Sequence, residues 1–237
     1  MLARALPNIF TVGNLFLGIM AMLLALQGEW KYGAIMVIIG MLLDGLDGRV
    51  ARMLNTQSEF GKELDSLSDI VSFGVAPALI MYTSILHQLS ITGWIITAVF
   101  PICGAIRLAR FNVKPGIPGY FIGLPITAAG GVLATMALYS EMVAGPGFMV
   151  TGMLLLSYLM VSRIKYPNFK KLGIPRSAYW IAPLLIILMG WLAVRFPEEF
   201  PKILFIPLVF YAFYGVKRSV ARRRRQNSEE SVEELNP

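Results

Sequence analysis

The chain has 237 residues, of which 56% are hydrophobic and 15% charged, with a mean hydropathy of +0.65. That balance excludes an ordinary soluble domain of this length and points to a membrane protein with several spans. The net charge of +7 is a topology signature and not a sign of nucleic-acid binding, since no nucleic-acid module appears.

Eight apolar stretches, each near the about 20 residues needed to cross a bilayer, predict helices at 8–27, 32–53, 64–86, 91–110, 123–140, 147–164, 178–195 and 201–217. The fold class expected is all-α. The start, MLARALPNIFTVGNLFLGIMAMLLALQG, shares an arginine and an apolar run with cleaved leaders. Its run is long enough to span, however, and Pro7, Asn8, Thr11 and Asn14 are polar where a leader seldom needs them. The second and third stretches carry the unusual residues: Asp44, Asp47, Asp65 and Asp69 lie in or beside apolar helices. His87, the single histidine, falls in a loop on the far side, and Cys103, the single cysteine, has no partner for an intramolecular disulfide. The fourth stretch ends in Arg107 and Arg110, and a Gly-Leu-Pro turn opens the fifth. After the eighth, KRSVARRRRQNSEESVEELNP passes from basic to acidic without apolar periodicity and is expected to be a disordered tail. Its basic part anchors topology and suits anionic lipid headgroups.

Lysines and arginines set the orientation. With both termini on one face, that face collects 18 of them and the other only Lys31, Arg195 and Lys202. The first face is therefore expected to be cytoplasmic, in a multi-pass protein of the cytoplasmic (inner) membrane.

Asp44 lies about 12 residues into the second stretch, roughly 18 Å from its outer end, so it sits within the membrane nearer the cytoplasm. A carboxylate at such depth costs about 2.5–3.5 kcal/mol on insertion scales, which calls for a cation or a polar cavity. Pairing with Arg49 or Arg52 is the plain structural alternative. On a helix, Asp44, Asp47, Gly48, Ala51 and Arg52 form one stripe, and Gly61, Asp65 and Asp69 form another. Two spans joined by a short link pack as antiparallel neighbours, so the stripes are expected to face each other. Four carboxylates balance two divalent ions, and hard oxygen ligands select Mg²⁺, Mn²⁺ or Ca²⁺. A two-metal site suits displacement at phosphorus. Gly48 and Ala51 let a ligand approach the helix, or equally serve small-residue helix packing, and Arg52 offers a phosphate contact.

These residues fit D-x-x-D-G-x-x-A-R-x8-G-x-x-x-D-x-x-x-D at all eight fixed positions over 26 residues, from Asp44 to Asp69. The pattern resembles the signature of the CDP-alcohol phosphotransferases, integral membrane enzymes that move a phosphatidyl or similar group from a CDP-linked donor to an alcohol. The resemblance implies a six-helix core within residues 1–165, two additional helices within 166–217 and the tail at 218–237. It implies that Asp44 and Asp65 contact two Mg²⁺ or Mn²⁺ ions, Asp47 one and Asp69 the other, with Asp69 also the general base. Gly48, Ala51, Arg52, Ser58 and Gly61 would surround the CDP part. Pro7, Asn8 and Thr11 resemble the family's P-N-x-x-T start of the first helix near the nucleotide, although a proline and polar residues also serve helix capping there. A homodimer is a further implication.

The acceptor rests on looser motifs. RLARFNV at 107–113, GYFIGLPITAAGG at 119–131 and SRIKYPNFKK at 162–171 look similar to the membrane-bound bacterial phosphatidylserine synthases within the family. That likeness implies CDP-diacylglycerol as donor and L-serine as acceptor, with Arg107 and Arg110 placed for the serine carboxylate or the donor phosphate; positive-inside anchoring explains them equally well. Lys165 and Lys170 read as anchors. Glycerol 3-phosphate or an inositol phosphate are the competing acceptors. A prenyltransferase usually places its paired aspartate motifs in well-separated repeats, and a cation-coupled transporter has no need of the whole spacing pattern.

Overall fold

The computed structural model describes residues 2–54, 56–113, 120–142, 145–167 and 195. They form seven α-helices: α1 (Leu2–Leu26), α2 (Trp30–Met53), α3 (Glu59–Asp69), α4 (Ala76–Ser84), α5 (Ser90–Val113), α6 (Ile126–Leu138) and α7 (Gly147–Val161). Helices α3 and α4 are one continuous span, joined through a π-helical segment at Ile70–Val75. The described residues are those of an all-α membrane protein, with one small exception among them, a ribbon in which β1 (Tyr120–Ile122) pairs antiparallel with β2 (Lys165–Pro167).

Three described helices are long and apolar enough to cross a bilayer: Pro7–Leu26, Glu59–Ser84 and Leu86–Val113. Helix α2 has the length, at 24 residues, but also carries Lys31, Asp44, Asp47, Arg49 and Arg52. Helices α6 and α7 have 13 and 15 residues, shorter than the stretches expected at 123–140 and 147–164. Both are trimmed where the start of α6 meets the end of α7: the Leu124 amide bonds to Leu159 within α7 and the Gly123 amide to Ile164, between α7 and β2, instead of continuing a helix. The expected spans at 178–195 and 201–217 and the tail lie outside the described residues, apart from Arg195.

Helices α1 and α2 make a close antiparallel hairpin. Pro7, Thr11, Asn14, Gly18, Ala21 and Ala25 are the buried stripe of α1, at alternating steps of four and three, whereas Ile9, Val12, Phe16, Ile19 and Leu23 are exposed. Small residues let the backbones approach: a Cβ on Gly33 of α2 would lie 2.7 Å from the carbonyl oxygen of Ala21. Gly28, at φ +87°, ends α1 in the left-handed conformation that glycine adopts without strain.

The π segment is the point on which α1, α5 and α6 converge. Ser68 and Ser72 donate their hydroxyls to the backbone carbonyls of Thr11 and Asn14, at 3.1 and 2.9 Å, tying the third span to α1. A Cβ on Gly18 would stand 2.8 Å from the Ser72 Cα, and one on Gly130 of α6 2.8 Å from the Phe73 Cα. Helix α6 runs through the middle of the bundle, and Ala129 to Ala137 are all buried. Phe73, Phe100, Leu124, Ile126, Leu133, Met149 and Met153 fill the core around it.

Candidate active site

The last three turns of α2 and the length of α3 carry the acidic side chains. One carboxylate oxygen from each of Asp44, Asp47 and Asp65 lies within 4.8 Å of the other two. Asp47 is buried, and Asp44 and Asp65 are half-buried. Two unit charges about 5 Å apart repel by roughly 3 kcal/mol at an effective dielectric constant of about 20, so three such groups require cations or protons among them. The donors are all hard oxygens, which fits a divalent ion of the Mg²⁺ or Mn²⁺ kind. Arg49 and Arg52 are exposed, which does not suit the alternative in which they neutralise the aspartates.

Asp69 lies one turn after Asp65 and outside the group of three. It is buried, within electrostatic reach of Asp44, Asp65 and Arg107, and its Oδ1 has no hydrogen-bond donor among the described residues. An acceptor oxygen in that condition, beside a cluster of carboxylates, is placed to take a proton or a cation.

Asp47 is gripped through both oxygens. The Thr11 hydroxyl donates to its Oδ2 at 2.9 Å, sharing its proton with the Pro7 carbonyl at 3.2 Å, and the Gly48 amide donates to its Oδ1. Asp44 receives the hydroxyl of Thr127, from the first turn of α6, at 3.2 Å on its Oδ2.

The residues expected around a nucleotide fall into two groups. Ser58 caps α3 by accepting the Gly61 amide at 3.0 Å, and a Cβ on Gly61 would lie 3.2 Å from the Asn8 Oδ1. Asn8, Ser58 and Gly61 therefore meet where α1 passes the start of α3, with Pro7 buried beside them. Gly48, Ala51 and Arg52 lie along the end of α2, and the Arg52 guanidinium reaches back to within 3.4 Å of a Cβ placed on Gly48.

The two arginines of α5 part company. Arg107 is buried, its guanidinium 5.3 Å from the centre of the Phe111 ring and within electrostatic reach of Asp69. Arg110 turns the other way and donates to the carbonyls of Val161, Met160 and Ser162 at 2.8, 3.2 and 3.3 Å. It thus caps the open C-terminus of α7.

The family model for CDP-alcohol phosphatidyltransferases matches residues 4–196. The chain belongs to that family. Among its relatives is a CDP-diacylglycerol–serine O-phosphatidyltransferase of Helicobacter pylori strain J99, 39% identical over 90% of each chain. A Bacillus subtilis protein of the same name is 39% identical over 70% of this chain and 92% of its own. An archaetidylserine synthase of Methanothermobacter thermautotrophicus is 37% identical over 71% of this chain and 72% of its own. This CDP-alcohol phosphatidyltransferase is accordingly a membrane-bound enzyme of phospholipid synthesis, with an acidic triad suited to a metal ion.

One contact in the phosphatidyltransferase site, and one buried amide on α1, were beyond sequence reasoning. The partner of Thr127 stands 83 positions away, and a threonine in an apolar helix ordinarily bonds its own backbone. Asn14 was visible as a polar residue in the first span, but not that its amide is fully buried against Gly40, with neither Oδ1 nor Nδ2 bonded within the described residues.

Proposed function

We propose that the enzyme makes phosphatidylserine from CDP-diacylglycerol and L-serine and releases CMP. The observation that carries the reading is the likeness to the Helicobacter serine transferase across 90% of both chains, 39% identical. The Asp44, Asp47 and Asp65 cluster, with Asp69 beside it, supplies the chemistry the reading needs.

Asp44, Asp47, Asp65 and Asp69 would hold two Mg²⁺ or Mn²⁺ ions, which neutralise the carboxylates and draw charge from the donor's pyrophosphate. Thr11 and the Gly48 amide hold Asp47 in place for that role. Asn8, Ser58 and Gly61 at one end, and Gly48, Ala51 and Arg52 at the other, frame the cytidine and its phosphates. Asp69, through an Oδ1 without a hydrogen-bond donor among the described residues, accepts the proton of the serine hydroxyl as the serine oxygen forms its bond to the β-phosphorus and the bond to the CMP oxygen breaks. Arg107, buried beside Asp69, is the better placed of the two arginines for the serine carboxylate, because the guanidinium of Arg110 is occupied by α7.

The same reading places the enzyme in the cytoplasmic membrane with eight spans, both termini and the site on the cytoplasmic side, as the 18 to 3 distribution of basic residues supports. A core at 1–165, two further helices at 166–217 and a homodimer complete it. The test is CMP release by the purified full chain with CDP-diacylglycerol and each alcohol in turn, with and without EDTA. Release dependent on serine and on Mg²⁺ or Mn²⁺ is expected. Release that follows glycerol 3-phosphate or an inositol phosphate and ignores serine would transfer the assignment to that acceptor.

A further inference from the structure

The inference rests on the proposed metal site and concerns how that site is kept in shape. Hydroxyls on apolar helices ordinarily turn back on their own backbone, and here Thr83, Thr97, Thr135 and Thr151 all donate to a carbonyl three or four residues earlier, at 2.6–3.1 Å. Thr127 does not. It sits in the first turn of α6, where the residue four positions before it is Gly123, in the preceding turn and not in the helix. Its hydroxyl goes to Asp44 Oδ2 across 83 residues of sequence, at 3.2 Å.

The turn that delivers Thr127 is itself fixed. Gly123 has φ +78°, and a Cβ there would strike the carbonyl oxygen of Met160. The Gly123 amide donates to Ile164 at 2.8 Å and the Leu124 amide to Leu159 at 3.0 Å, while the β1–β2 ribbon holds the chain before it. Arg110, bonded to the last carbonyls of α7, lies against the same glycine, its Nη2 3.1 Å from the position of a Cβ.

We propose that Thr127 is a positioning residue for the metal centre: its hydroxyl fixes the Asp44 carboxylate, and the braced turn before α6 fixes the hydroxyl. Thr11 does the same for Asp47 from α1, so the two carboxylates of α2 are steadied from opposite neighbours. A carboxylate that accepts such a hydroxyl still has lone pairs for a cation but gives up its rotation, and loss of such an outer partner typically weakens metal affinity by about 10–100-fold.

The test is Mn²⁺ binding to the purified full chain in detergent without substrates, read from the electron paramagnetic resonance of free Mn²⁺. Wild type, Thr127→Val, Thr127→Ser and Asp44→Asn are compared. Thr127→Val should raise the dissociation constant at least about tenfold, and Thr127→Ser should stay within about threefold of wild type. The Mn²⁺ concentration giving half-maximal turnover should rise by the same factor in the valine variant, with a smaller change in kcat at saturating metal. Thr127→Ala takes the place of valine should valine prevent folding. Wild-type Mn²⁺ affinity in a folded variant without the hydroxyl overturns the proposal, provided Asp44→Asn binds weakly. Unchanged affinity in Asp44→Asn overturns the metal reading itself.

Discussion

Replacing Arg110 separates the two roles its position allows. Its guanidinium donates to three carbonyls at the end of α7, at 2.8, 3.2 and 3.3 Å. A hydrogen bond from a charged donor contributes about 1.5–3 kcal/mol, but only the first contact is short, and the residue is half-buried, so water replaces part of what is lost. Arg110→Leu should therefore destabilise the protein by about 2–3 kcal/mol, or about 4–12 °C in unfolding midpoint for a chain of this size. Arg110→Lys should lose roughly half as much, since one ammonium cannot reproduce the planar fork. The assay is thermal unfolding in detergent, paired with the KM for serine. The expected pattern is a lowered midpoint with little change in KM, against a raised KM in Arg107→Leu. A midpoint unmoved in Arg110→Leu, together with a KM for serine raised more than about tenfold, would refute the capping role and return Arg110 to the acceptor site.

Asp69→Asn should lower turnover by about 10²–10⁴-fold, the range for losing a general base, while leaving Mn²⁺ binding by the other three aspartates measurable; turnover near wild type would remove Asp69 from that role. Gly130→Ala should destabilise by about 1–3 kcal/mol, because the new methyl meets the Phe73 backbone. Gly45→Ala meets nothing within 4 Å and should leave the midpoint unchanged or slightly higher, so equal effects in the two variants would contradict the packing described. Lys31→Ala, which removes an exposed ion pair to Glu141, should move the midpoint by less than about 2 °C; a larger drop would mean that this pair holds α2 against the turn that follows α6.

The aspartate cluster was legible because charge inside an apolar run has few explanations, and because spacings of three and four residues put Asp44 with Asp47, and Asp65 with Asp69, on common helix faces. Hydropathy outlined the first six helical stretches, three of them long and apolar enough to cross a bilayer, for the same reason: burial in lipid demands composition more than sequence. Hydropathy failed at the ends of α6 and α7, since it registers apolar residues whether or not they are helical. Gly123, Leu124 and Ile164 are apolar or small, yet their backbones bond to one another and to α7. The three-residue ribbon has no pattern long enough to notice. Arg110 was one basic residue among many on its face, and charge counting cannot tell a headgroup contact from a helix cap.

The π segment at Ile70–Val75 has a consequence for the geometry of the third span. A π turn takes in one residue more than an α turn, so it rotates everything after it by about 100° relative to a straight helix. Before it, the span directs Asp65 towards the carboxylates of α2 and Ser68 towards α1; after it, Ala76, Ala78, Ile80 and Met81 are in the apolar core. The segment acts as a phase shifter between a polar half and an apolar half of one helix. Deleting a single residue within it would straighten the span and force a choice, with either the aspartates turned from their partners or the core residues turned towards lipid. Asp69 stands at the last position before the shift, which makes its bearing on the reacting atoms a property of the helix geometry as well as of its place in the sequence.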